Sequence, residues 1–272
     1  MENTTFMELI RQNPHAITSI SNPTDEMKLL AVNKNGLMLK HIKNPTKAMK
    51  QAAFANNSRA IEYIENPTEE MMQKAIMASW TNLEYLKNPS ELAIKQALNQ
   101  SGWAIKYVKS PSESLQLLAV SKNYDALRFI KEPSEPVQLA AIQHSYEALR
   151  YIKAPSAQAE RLAILQNERA LQWINDLTKA KILEFLAINF LVIKFVMKEI
   201  STDELQQVLQ KELAKETVEE KYVRDFLNYS TIDKKSPIMA IDRLRLLDQY
   251  GSRTAKRIAV DEKLKLLYEE LL

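Results

Sequence analysis

The chain reads as an all-α protein, an α-solenoid of about nine 22-residue helical-hairpin repeats followed by a small C-terminal helical bundle. Three observations predict this. Prolines recur at Pro23, Pro45, Pro67, Pro89, Pro111, Pro133 and Pro155, each 22 residues after the last and with no insertion, the mark of stacked copies of one small unit. A Ser or Thr follows every one of them: Thr24, Thr46, Thr68, Ser90, Ser112, Ser134 and Ser156. Only 3 glycines occur in 272 residues, which leaves little room for phosphate loops or tight β-hairpins.

Counting from the proline, position +1 is the hydroxyl and position +2 is acidic in most copies, as in Asp25, Glu69, Glu91, Glu113 and Glu135. A hydroxyl that accepts from an early helical N–H, with carboxylates facing the helix dipole, starts a helix. The Asn before the proline is the alternative cap, but it drifts to Ser110, Glu132 and Ala154 while the hydroxyl never lapses. Position +8 is always alanine (Ala31, Ala53, Ala75, Ala97, Ala119, Ala141, Ala163) and its neighbour is large and apolar (Val32, Phe54, Ile76, Leu98, Val120, Ile142, Ile164). A small residue at one fixed site lets another helix approach closely. Position +12 holds only Asn or Ser, turn formers that end the first helix. A second helix of about seven residues follows, with an aliphatic pair three apart, as in Ile61 and Ile64. Helices this short do not persist alone, so each repeat needs its neighbours to fold.

The register extends back over residues 1–22 and forward over 177–198, giving repeats that start near 1, 23, 45, 67, 89, 111, 133, 155 and 177. Residues 1–198 thus form the repeat domain. Residues 199–272 form a C-terminal helical domain for capping or oligomerisation, with helices expected over 202–215, 218–229, 236–250 (capped by Ser236, ended by Gly251) and 253–272. The last carries Val260, Leu264, Leu267 and Leu271 in a short heptad seam, which either docks within its own domain or dimerises the chain.

Composition narrows the function. Hydrophobic residues make 46% and charged residues 26% of the chain, as in soluble globular proteins, and the absence of cysteine excludes disulfides, thiolate metal sites and a cysteine nucleophile. The apolar run from Ile182 to Met197 is broken by Glu184, Asn189 and Lys194, so it reads as a buried stretch. Met1–Thr5 does not begin a charged-then-apolar signal, and a cytoplasmic location is the expectation. Residues 1–198 hold 24 basic and 19 acidic side chains, and residues 199–272 hold 13 and 15, so any attraction for anions belongs to the repeats.

Residues 66–76, Asn-Pro-Thr-Glu-Glu-Met-Met-Gln-Lys-Ala-Ile, resemble the leucine-rich-variant repeats. They are closer still to an uncharacterised family of short tandem helical repeats found in phage, giant-virus and bacterial proteins. The resemblance covers about residues 1–198 and is carried by a structural motif. It implies an α-solenoid with no catalytic residue, and a phage or mobile-element regulator acting on a host protein as inhibitor or adaptor.

Three groups of side chains are candidates for binding. Position +18 is a ring in His41, Tyr63, Tyr85, Tyr107, Phe129, Tyr151, Trp173 and Phe195, expected to be a seam in which rings pack on their copies. Positions +17 and +20 read Lys40/Lys43, Glu62/Glu65, Glu84/Lys87, Lys106/Lys109, Arg128/Lys131 and Arg150/Lys153, pairs expected to share a face of the short helix. The three basic pairs form a bounded patch suited to an acidic surface on another protein. A protein tracking a phosphate backbone would not place Glu62 and Glu65 in that line. The turn aromatics Trp80, Trp103, Tyr124 and Tyr146 are expected at a surface loop, as anchors beside the cations. Arg253, Lys256 and Arg257 open the last helix and offer an alternative contact for nucleic acid. His15, His41 and His144 share no metal-binding spacing, and no phosphate loop or nucleophile motif occurs, so neither an enzyme, a metal nor a cofactor is expected.

Overall fold

The computed structural model describes residues 2–269, with side-chain surroundings over residues 3–263. It is all-α and repetitive. Helices α1 (Glu2–Gln12), α2 (Asp25–Lys34), α3 (Lys47–Asn56), α4 (Glu69–Ala78), α5 (Glu91–Gln100), α6 (Glu113–Lys122), α7 (Glu135–His144), α8 (Ala157–Gln166) and α9 (Lys179–Ile188) recur along the repeats. Each is followed by a 3-10 helix, of six residues from Pro14–Ser19 through Glu168–Trp173 and of three at Phe190–Val192. Among the described residues there is no β-strand, only an isolated bridge between Asp233 and Ala240.

The hydroxyl at +1 is the cap. Thr24 Oγ1 accepts from Met27 N at 3.3 Å, Ser90 Oγ from Ala93 N at 3.0 Å and Ser156 Oγ from Ala159 N at 3.1 Å, each with extended backbone. Ser112 departs from the rule: its hydroxyl pairs with Ser114 Oγ at 3.0 Å and makes no cap bond. Position +12 ends one helix and starts the next. Asn35 donates its N–H to Ala31 O at 2.9 Å while its Oδ1 accepts from Leu37 N at 3.1 Å.

The second helix of each repeat is 3-10 rather than α. Its closing bonds span three residues, as in Ile42 N to Leu39 O and Ile64 N to Ile61 O, both 3.1 Å. Side chains three apart eclipse in a helix of 3.0 residues per turn, so the aliphatic pair lands on one buried face. Leu39 with Ile42 and Ile61 with Ile64 are accordingly buried.

The chain forms two compact bodies, Met1–Ala141 and Ile142–Leu272. In both, every alanine at +8 is fully buried. Its large neighbour is buried too, except Phe54, which is partly buried against the core. Side-chain amides tie successive repeats together. In the first body Gln100 Nε2 donates to Ile76 O at 2.7 Å, and the buried Asn82 donates across to Ser58 Oγ at 3.1 Å and within its own repeat to Ala75 O at 2.8 Å. In the second, Gln166 Nε2 donates to Ile142 O and Asn189 Nδ2 to Ile164 O, both at 2.8 Å.

After Phe190–Val192 the repeat gives way to α10 (Ile193–Val196), α11 (Thr202–Leu213), α12 (Glu220–Asn228), α13 (Arg243–Tyr250) and α14 (Arg253–Glu269). The apolar run is buried through Ile182, Phe185, Leu186, Phe190, Val192, Ile193 and Val196, whereas Phe195 is 52% exposed. Helix α12 closes over the last repeat: the Phe190 ring meets Tyr222, Phe226 and Tyr229 edge-on at 6.1, 5.4 and 5.8 Å, and the Tyr222 hydroxyl donates to Leu186 O at 3.0 Å. Burial pushes the Tyr222 phenol pKa well up. Helix α11 opens on a capping box formed by Ser201 and Glu204.

Helix α13 is shorter than expected. Ser236 caps a turn, accepting from Ile238 N at 3.3 Å and Met239 N at 3.1 Å, and the helix starts only after Asp242. The intervening chain is held extended because Met239 and Ile241 are buried and Arg243 donates to the carbonyls of Leu227 and Tyr229. On α14 the buried face is Ala255, Ile258 and Glu262, whereas Val260 is 58% exposed. Val260 therefore does not dock within its own domain. Leu264 and Leu267 lie on the helix, with side chains outside the described residues, and Leu271 lies outside them altogether. Among the described residues no helix is long and apolar enough to cross a membrane.

Candidate partner-binding surface

The 3-10 helix sets the spacing of the candidate side chains. Its first residue, position +13, is the turn aromatic in Trp80, Tyr124 and Tyr146, Trp103 stands one place on at +14, and its last two residues, +17 and +18, carry the charge and the ring. In the first body Trp80 and Tyr107 of consecutive repeats meet with ring centroids 6.2 Å apart. Lys106 Nζ lies 5.6 Å from the Trp80 ring centre and 4.6 Å from that of Tyr107. Tyr107 thus pairs with the +13 ring of the preceding repeat, not with its own copy as the sequence suggested. The reason is geometric: the two positions stand at opposite ends of a six-residue helix, and the offset between repeats brings unlike ends together. Tyr146 and Trp173 repeat the arrangement in the second body at 5.7 Å.

Trp103 is 43% exposed, and its indole Nε1 donates to Asp125 Oδ1 at 2.7 Å. Asp125 Oδ2 accepts from Arg128 at 2.7 Å, and the Arg128 guanidinium lies 6.0 Å from the exposed Phe129 ring. Tyr124, at the start of the same 3-10 helix, is half-buried. In the second body Arg150 lies 4.6 Å over the Tyr151 ring and donates to its hydroxyl. Each such exposed cation–ring contact contributes about 0.5–1 kcal/mol, which offsets part of the rotamer entropy of a long side chain.

Lys87, Lys109, Lys131 and Lys153 are exposed, but they do not share a helical face with position +17. The 3-10 helix ends at +18 and the chain turns extended at +19, as at Val108 (φ −98°, ψ 114°), so +20 stands on the following turn. The sequence also missed two contacts. Asp125 partly neutralises the patch by binding Trp103 and Arg128, and Arg59 lies 4.8 Å over the Tyr85 ring of the next repeat. Position +14, unlike +17, carries no regular charge to flag it.

Glu62 and Glu65 line a groove with Lys40, Lys50 and Lys87, and Tyr63 stands beside them. Burial, then a hydrogen bond to Glu62, raises the Tyr63 phenol pKa. This groove, of about 330 Å³, lies between the Pro23 and Pro45 repeats, over Leu39, Ile42 and Pro45. A second groove of about 500 Å³ occupies the same repeat positions one repeat earlier, over Ile17, Ile20, Ile42 and Pro23, with Lys28, His41 and Lys43 at its sides.

The basic start of α14 has an internal counter-charge. The Glu216 carboxylate accepts from Arg253 N at 3.2 Å, Thr254 N at 3.3 Å and Thr254 Oγ1 at 3.0 Å. These bonds hold its pKa below the usual carboxylate value. A carboxylate from the chain itself therefore occupies the anion position at this helix start, while Lys256 and Arg257 are exposed. Among the described residues, no group of three or more His, Asp or Glu side chains is placed to hold a metal ion. Neither protein-family models, nor curated proteins, nor solved structures match this chain.

Proposed function

We propose that this chain is a non-enzymatic scaffold that binds another protein through the ring–cation surface of its repeats. The observation that carries the reading is Lys106, held at 4.6 and 5.6 Å from two rings of consecutive repeats. An ammonium fixed between an indole and a phenol suits a carboxylate on a partner at little further cost in side-chain entropy, and Trp with Arg is the usual composition of interface anchors. Trp103, Arg128 and Phe129 extend the surface in the first body, and Tyr146, Arg150 and Tyr151 carry the same chemistry in the second. Lys109, Lys131 and Lys153 add long-range attraction for an acidic partner.

The family resemblance extends the proposal to a cytoplasmic phage or mobile-element regulator, an inhibitor or adaptor of a host protein. Capture from a host lysate by the immobilised chain, read by mass spectrometry, tests it. Replacing Lys106, Arg128 and Arg150 by Glu is expected to abolish capture of a specific acidic protein while the circular dichroism melt is unchanged. Unchanged capture would remove this surface from consideration. Nucleic-acid binding is the second reading. It is disfavoured by Glu216 at the α14 start and by Glu62 and Glu65 in the repeat face, and steep loss of DNA binding with added salt would favour it instead.

A further inference from the structure

The two grooves of the first body share one construction. Each has an aliphatic floor from positions +16 and +19, the proline of the next repeat, and a lysine at +5: Lys28 in one, Lys50 in the other. Position +5 is lysine only in the Pro23 and Pro45 repeats, and the proline-marked repeats that follow carry Met72, Ile94, Gln116, Gln138 and Glu160. Gln116 and Gln138 fold back on their own repeat, donating to Pro111 O at 3.0 Å and Pro133 O at 2.9 Å. The lysines cannot all be explained that way. Lys28 reaches Asp25, whose side chain is 71% exposed, at 3.1 Å. Lys50 is half-buried and, among the described residues, pairs with no carboxylate. A half-buried lysine beside an apolar floor, paired with no carboxylate, offers its ammonium to an incoming counter-ion.

We propose that these two grooves seat one extended acidic peptide, with Lys28 and Lys50 receiving its carboxylates and the aliphatic floor receiving the side chains between them. Charge sets the preference. No carboxylate lines the first groove, and in the second the cations Lys40, Lys50 and Lys87 outnumber Glu62 and Glu65. The floor of Ile17, Ile20, Leu39 and Ile42 suits aliphatic side chains, and the two glutamates oppose a continuous phosphate backbone. Neighbouring repeats pack about 8–10 Å apart, and an extended chain in the polyproline II conformation, rising about 3.1 Å per residue with about three residues per turn, presents acids three residues apart on one face at that spacing. This site belongs to earlier repeats than Lys106, Arg128 and Arg150 and does not rest on them.

The test is fluorescence anisotropy of the full chain with a labelled peptide Asp-Leu-Ala-Asp-Leu, its Asn-Leu-Ala-Asn-Leu counterpart, and a short labelled DNA strand. The acidic peptide is expected to bind about 10-fold more tightly than the Asn peptide, a preference lost in the double variant Lys28→Gln with Lys50→Gln. Lys50→Arg, which keeps the charge, should retain it even if the double variant is less stable. Reversal of Lys106, Arg128 and Arg150 should leave it intact, so that failure of the ring–cation surface and failure of the grooves are distinguishable. Equal binding of the two peptides, no binding at all, tighter binding of the DNA, or a preference that survives in the double variant would each overturn the proposal.

Discussion

A Cβ on Gly36 would stand 2.2 Å from the carbonyl oxygen of Ala53, and one on Gly102 would stand 2.1 Å from that of Ala119. Both glycines sit at position +13, where other repeats carry Ser58, Trp80 or Tyr124, so the close approach belongs to these two junctions. In each case an asparagine of the next repeat takes up the amide of the buried glycine. Gly36 N donates to Asn56 Oδ1 at 2.7 Å and Gly102 N to Asn123 Oδ1 at 2.9 Å. Asn123 is consequently diverted and makes no cap bond to its own 3-10 helix. Gly36→Ala and Gly102→Ala should each lower stability by about 1–3 kcal/mol through forced backbone displacement, read by denaturant unfolding. An unchanged midpoint would show that the junction opens freely. The sequence carries no sign of this constraint, because the partner that forbids a side chain at these two glycines is a backbone atom from the neighbouring repeat.

At the level of the element, the +1 hydroxyl and the +12 Asn or Ser define the repeat. Thr46 Oγ1 accepts from Met49 N at 3.3 Å, whereas Ser112 spends its hydroxyl on Ser114. Thr46→Ala is expected to cost about 1 kcal/mol and Ser112→Ala clearly less. Equal costs in thermal melts would mean that the caps do not set helix stability here. Helix starts were legible in the sequence because a cap is local, needing one side chain and one N–H three residues on. The 3-10 character of the second helix was harder to read. An aliphatic pair three apart fits an α-helical face and an eclipsed 3-10 face equally well, and the choice follows from the two extended residues, +12 and +19, that clamp the segment to six residues. The expected 236–250 helix failed for a related reason: burial of Met239 and Ile241 overrode the local cap and proline signals.

For the molecule as a whole, repetition makes stability a sum over neighbours, which predicts tolerance to removal of one full period. Deleting residues 67–88 joins Asn66 to Pro89 and keeps every later cap in register. That variant should remain helical and melt cooperatively, while deleting residues 67–77 alone should collapse helicity, since it leaves a 3-10 segment with no preceding helix. Equal loss in both would contradict nearest-neighbour stacking. The exposed Val260 on α14 makes a second prediction at this scale. If the last helix pairs with a second copy, the wild-type chain scatters light as a dimer and Val260→Glu as a monomer. A monomeric wild type would exclude that seam.

The sequence by itself determined the period, the all-α class, the helix starts of the repeats and the buried alanine column, because each depends on contacts that recur every 22 residues and therefore print themselves on the chain. Only the tertiary structure decided which unlike positions meet across a junction. It set Trp80 beside Tyr107 and Lys106, Asp125 between Trp103 and Arg128, and Glu216 at the start of α14. Such pairs depend on the offset between neighbouring repeats or on chain returning from about 37 residues away, and a pattern of residue types carries no coordinate for either.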